Sequence, residues 1–152
     1  MKVNKNLLSR LIKHEGFCAK PYRCSAGRLT VGYGRNLEDK GISESEALFL
    51  LTNDILESKN ECEKNFNFFN TLSQTRQNVL VEMCFNLGIK GLKGFKKFLK
   101  ALEHKDFETA SKEMLQSRWA RQVKGRAQVL SDLMKTGNKD QETPNHLAGE
   151  NK

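Results

Sequence analysis

The sequence predicts an α+β protein, mainly helical, in which a small β-hairpin lobe and a larger helical lobe are joined by a long helix. Three observations predict this. The stretch "KPYRCSAGRLTVGYG", from Lys20 to Gly34, is rich in turn residues and ends in an alternating run, as a hairpin does. A capped run of about twenty residues, "ESEALFLLTNDILESKNECEKNF", carries one apolar stripe. Beyond it come short amphipathic segments separated by glycines, the pattern of a compact helical bundle.

The elements follow in order. Leu7, Leu8, Leu11 and Ile12 fall at helical spacing and predict a helix over about 4–14, ended by Gly16. Pro21 to Gly34 then reads as a hairpin with "SAG" (Ser25 to Gly27) as its loop, where Gly27 can take the left-handed position. Ser43, with Glu46 three residues on, is spaced as a capping box. The long helix carries Ala47, Leu48, Leu51, Ile55 and Cys62 on its stripe and can act as a strut. Phe66, Phe68 and Phe69 form an expected core cluster.

Ser73 caps "QTRQNVLVEMCFNL", which should stop at Gly88. "GFKKFLKALEH", "DFETASKEMLQSRWARQ" and "GRAQVLSDLMK" are the remaining helical segments, the last ending at Gly137. The predicted organisation is one domain over 1–137, with a hairpin lobe at about 16–42. The helical lobe takes about 66–137 plus the N-terminal helix, and a flexible polar tail follows over 138–152.

Composition narrows the function. The net charge of +8 is concentrated in residues 1–40 (net +6) and 87–136 (net +7), on either side of an acidic stretch over 41–86 (net −4). Such a pattern attracts a polyanion: nucleic acid, an anionic membrane or a wall polymer. No nucleic-acid-binding signature accompanies the charge, so no nucleic-acid partner is expected. The longest apolar run, "ALFLL", is too short to span a bilayer, and no signal-peptide core is present, so no stable membrane insertion is expected. Cys18, Cys24, Cys62 and Cys84 form no C-x-x-C pair and have no histidine at finger-like spacing. No metal and no cofactor are expected. Reduced thiols are the simpler state, though a Cys18–Cys24 disulfide is geometrically conceivable. Cys62 and Cys84 should be buried apolar groups.

The chemistry-bearing feature is Glu15. It sits at the C-terminal end of the first helix, where the helix dipole disfavours a second negative charge. Partial burial against the hairpin would raise its pKa further, as a general acid requires. If "SAG" is the loop, Cys24 faces Arg28 across the turn and is a diagonal neighbour of Thr30 on one face. A two-residue loop would put Cys24 and Thr30 on opposite faces. Arg23 and Arg28 flank Cys24 with positive charge, which favours a thiolate.

Glu15, eight residues, Cys24, five residues, Thr30, then "VGYG" resembles the signature of the phage-type lysozymes, the endolysins of glycoside hydrolase family 24. "EMCFNLGIKGLKGF" (Glu82 to Phe95) and "SRWARQVKGRA" (Ser117 to Ala127) resemble helical-lobe segments of the T-even phage members. The resemblance covers roughly 5–137 and implies a lysozyme-like two-lobed fold. It implies that Glu15 protonates the glycosidic oxygen, that Cys24 stands at the aspartate position, and that Thr30 positions water or sugar. It implies that Arg126 pairs with the catalytic glutamate and that Phe85 lines the cleft, while Trp119 is expected in the core without a catalytic role. Arg35 stands where many members have histidine, and the segment between Gly34 and the long helix is shorter than in the T-even members.

The expected activity is that of a muramidase cutting the β-1,4 bond between N-acetylmuramic acid and N-acetylglucosamine, causing bacterial lysis. The expected partner is the peptidoglycan glycan strand, met by a monomer. Synthesis would be in the host bacterial cytoplasm, with access to the wall after membrane permeabilisation. The alternative is a lysozyme-fold protein that binds peptidoglycan with weak or no catalysis.

Overall fold

A computed structural model describes residues 1–138. The chain divides into two compact units, the first Met1–Leu51 and the second from Thr52 onward. The predicted tail falls, from residue 139 on, outside the described residues.

The first unit opens with helix α1 (Lys5–Glu15). Asn4 caps it, its side chain accepting from the amides of Asn6 and Leu7 at 3.0 and 3.1 Å. Gly16 stops it at a φ of +70°, donating its N–H to Ile12 O. Three strands follow rather than the two of a simple hairpin. They are β1 (Cys18–Arg23), β2 (Leu29–Gly32) and the two-residue β3 (Arg35–Asn36), in the antiparallel order β1-β2-β3. The third strand is too short to show as an alternating run in the sequence.

The register between β1 and β2 is irregular. Cys18 pairs with Gly32 but Tyr22 with Thr30, so four steps on β1 face two on β2. Pro21 lies inside this bulge on an edge strand, where its missing N–H breaks no required bond. Because β1 is extended, Cys18 and Cys24 lie six residues apart along one strand direction. An extended strand spans about 20 Å over six residues, whereas a disulfide needs Cα atoms within about 7 Å. The conceivable Cys18–Cys24 bridge is therefore excluded by the strand itself, and all four cysteines are free.

Helix α2 (Glu44–Asn65) is the longest. Its capping box forms as predicted: Ser43 N–H donates to Glu46 Oε2 at 2.7 Å, and Glu46 N–H to Ser43 Oγ at 3.2 Å. Of its residues only Ser58 and Cys62 are buried.

The second unit is helical and holds the core. A 3-10 turn (Phe69–Thr71) leads into α3 (Gln74–Lys93), α4 (Lys96–Glu103), α5 (Phe107–Leu115), α6 (Arg118–Val123) and α7 (Gly125–Thr136). Ser73 caps α3, and Gly88 interrupts it with a φ of +73°, which is where the sequence stops the helix. The segment "DFETASKEMLQSRWARQ" divides into α5 and α6 instead of forming one helix. Ser117 takes extended backbone and caps α6 by accepting from Ala120 N–H at 3.1 Å. Phe69, Leu80, Met83, Phe98, Leu102 and Met114 anchor the core. Phe66 is also buried, and Phe68 packs against the cluster with its ring stacked on Phe66. Cys62 and Cys84 lie in the same core, as small apolar groups.

Candidate active site

Glu15 is the last residue of α1, and the turn at Gly16 brings the chain back into β1. Its carboxyl lies against the backbone of Gly34. A Cβ built on Gly34 would sit 2.6 Å from Glu15 Oε2 and 2.9 Å from Cδ. Gly34 also has a φ of +75°, so two constraints select glycine there. The expected partial burial of Glu15 is not found. The residue is exposed.

Across the sheet, the loop is the three-residue "SAG". Cys24 N–H donates to Arg28 O at 3.0 Å, and Gly27 N–H to Cys24 O at 2.8 Å, with Gly27 at a φ of +78°. This fixes the face. Tyr22 is directly opposite Thr30 and Arg23 opposite Leu29, so Cys24 falls opposite Arg28 and diagonal to Thr30. Thr30, on the central strand β2, is 3 % exposed and is the one fully buried residue of the first unit. Its hydroxyl donates to Arg28 O at 2.8 Å. That single proton can serve the Arg28 carbonyl or the Cys24 sulfur, one at a time.

The Cys24 thiol is held below its ordinary range. The backbone of Arg28 contributes most, then that of Ala26, then the Thr30 side chain. The direction agrees with the sequence reading, but the cause differs. Arg23 and Arg28 direct their guanidinium groups to Glu38, at 3.3 and 2.9 Å, and Arg28 also reaches Asp39 at 3.4 Å. Their charge is spent on carboxylates, and hydrogen bonds at the tight turn stabilise the sulfur's negative form.

Arg35 serves as a brace. It forms a two-pronged pair with Glu46, through Nη1 to Oε2 at 2.7 Å and through Nη2 to Oε1, and it donates to Gly41 O at 3.2 Å. This arginine, with the Ser43 amide, pulls the Glu46 carboxyl down to about 2.

In the second unit, Arg126 donates through Nε and Nη2 to Glu82 Oε1 at 2.8 and 2.7 Å. Phe85 is 40 % exposed and lines a cavity of about 420 Å³ with Asp54, Glu57, Glu61 and Cys84. Trp119 is buried, its indole N–H donating to Asn86 Oδ1 at 3.0 Å, which fits its expected place in the core. Among the described residues no cluster of histidine, cysteine and acidic side chains could hold a metal ion.

The family model for phage lysozyme matches residues 12–139, a span that contains Glu15, Cys24, Thr30, Phe85 and Arg126. The chain belongs to the phage lysozyme family. An endolysin of Acyrthosiphon pisum secondary endosymbiont phage 1 is 29% identical over 140 residues, covering 89% of this chain and 92% of that protein. Two probable T4-type lysozymes of Dictyostelium discoideum are 32% and 30% identical over 98 and 96 residues. Each of those matches covers 62% of this chain and 56% of the relative, so the chain spans about half the length of these two proteins.

This phage lysozyme family member carries Glu15, Cys24, Thr30 and Gly34 in its first unit, and Phe85 and Arg126 in its second. Sequence reasoning missed Glu38 and Glu82 as partners of the site arginines. Nothing in the local sequence marks a pairing between residues 15 or 44 positions apart. Gly34 did leave a signal, since a strand-end glycine marks close approach by another group.

Proposed function

We propose that this chain hydrolyses the β-1,4 bond between N-acetylmuramic acid and N-acetylglucosamine in peptidoglycan. The observation that carries the reading is the presence, within one small unit, of a carboxyl seated on Gly34 and of a thiol of lowered pKa beside the buried Thr30. Glu15 is the general acid. It gives its proton to the glycosidic oxygen as the bond to the anomeric carbon breaks and positive charge builds on the sugar.

Water supplies the new bond. The Thr30 oxygen accepts one hydrogen of that water through a lone pair, and the Cys24 thiolate accepts the other. The water's lone pair then points at the anomeric carbon. Cys24 takes the proton as attack proceeds, and exchange with solvent then carries one proton off Cys24 and one onto Glu15, restoring both groups. Attack on the face opposite the leaving group inverts the anomeric centre. Phe85 offers an apolar face to a sugar ring, and Arg126, its charge met by Glu82, offers its remaining guanidinium N–H groups to substrate oxygens.

The net charge of +8 suits an anionic wall. No helix among the described residues is long and apolar enough to cross a membrane. We propose that wall contact follows a membrane lesion and that the product is lysis. Turbidity loss of purified bacterial walls, with new reducing ends released, tests the reading. Wall binding without clearing would instead support a non-catalytic binder, the alternative that Cys24 in the aspartate position favours.

A further inference from the structure

We propose that Cys62 and Cys84 form a site of oxidative cross-linking, in which hydrogen peroxide converts this buried dithiol of the second unit to a disulfide tying α2 to α3. The inference stands apart from the glycosidase reading, which uses neither residue.

Geometry brings the two thiols together. The Cys62 thiol donates to Leu80 O at 3.8 Å. Leu80 lies one helical turn before Cys84, so this carbonyl is also the acceptor expected for the Cys84 amide in a regular helix. Both cysteines therefore converge on one carbonyl at the α2–α3 contact. The two thiols also interact side chain to side chain. They are 0% and 4% exposed.

The site is reachable from one side. Cys84 lines the cavity of about 420 Å³ together with Ser58, Glu61, Phe85 and Gly88. A small, uncharged oxidant fits this route. Cys84 is thus the thiol attacked first. Its sulfur displaces water from hydrogen peroxide, the O–O bond breaks, and Cys84 becomes a sulfenic acid. The Cys62 sulfur then attacks that sulfenic sulfur. The S–S bond forms, a second water leaves, and both thiol protons end in water. Two electrons pass from the sulfurs to the peroxide.

Burial pushes both thiols above their ordinary range, so thiolate is scarce. The cross-link therefore forms slowly, under sustained exposure, and the dithiol survives brief oxidation. Cys24, in the first unit, is the faster thiol by the same reasoning.

The test uses the full chain, incubated with hydrogen peroxide, quenched with iodoacetamide under denaturing conditions and mapped without reduction. A peptide pair joined through Cys62 and Cys84, lighter by two hydrogens, is expected. Tm should rise by about 5 °C or more, because the link closes a long loop, and the rise should vanish on adding a reductant. Cys84→Val, which replaces the thiol with an apolar group of similar size, should fold and show no rise. The proposal is overturned if Cys62 and Cys84 are both recovered alkylated after treatment, or if the disulfide found joins other cysteines.

Discussion

The carboxyl of Glu15 and the backbone of Gly34 fit together only because Gly34 has no side chain: a Cβ there would lie 2.6 Å from Glu15 Oε2. The acid of the proposed reaction is thus positioned by an absent methyl group. Gly34→Ala should lower kcat by about 100-fold, the scale of a displaced catalytic group. It should also cost about 1–2 kcal/mol through its left-handed backbone, read as a Tm lower by several degrees. Gly41→Ala separates the two effects. Gly41 has a φ of +66° but nothing within 4 Å of its Cβ direction, so it should lose stability and keep activity. Equal activity losses in both variants would show that strain alone matters.

The four thiols should divide by environment. Iodoacetamide at neutral pH should label Cys24 at least about 100-fold faster than Cys62 or Cys84, which are buried and pushed up in pKa. The Cys24 labelling rate should rise with pH to a midpoint below 9.0, the ordinary thiol value. Mass mapping at timed points gives both numbers. A Cys24 midpoint at or above 9.0 would show that the turn does not stabilise the thiolate.

Replacing the sulfur tests what it does. Cys24→Ser keeps a group that can hold water but does not titrate in the working range, so it should lose about 10²–10³ in kcat along with the lower pH limb. Cys24→Asp restores a base of lower pKa, so activity should return with that limb shifted toward acid. Full activity of Cys24→Ser at every pH would exclude a thiolate base.

The brace between Arg35 and Glu46 predicts an acid limit to stability. The folded carboxyl titrates at about 2 against an ordinary 4.5. A lowered acid pKa contributes stability that is fully present above the unfolded value and is lost as pH falls through the folded one. Glu46→Gln should therefore lower Tm at pH 7, and the gap from the wild type should close between pH 4.5 and 2, as read in parallel thermal melts. A gap constant over that window would mean that the ionisation of Glu46 adds nothing to stability.

Much of this was legible in the sequence where the physics is local. Asn4, Ser43 and Ser73 act as caps, and Gly16, Gly88 and Gly137 as stops, because each function needs only neighbouring backbone. The "SAG" loop and the shared face of Cys24 and Thr30 followed from turn length and strand alternation. The long-range terms were not legible. β3 has two residues and exists only through pairing with β2. The break at Ser117 is invisible to periodicity, because the apolar spacing of α5 runs on into α6. Glu38 takes the arginines that seemed to belong to Cys24, a pairing set by the folded sheet.

The most direct measurement is wall clearing by the wild type and Glu15→Gln, with the reducing ends counted and their anomer read by NMR. The wild type is expected to clear walls and release α-anomer muramic acid ends, and Glu15→Gln, equally stable, to fall by at least about 10³. Clearing by Glu15→Gln at the wild-type rate would contradict the acid role of Glu15.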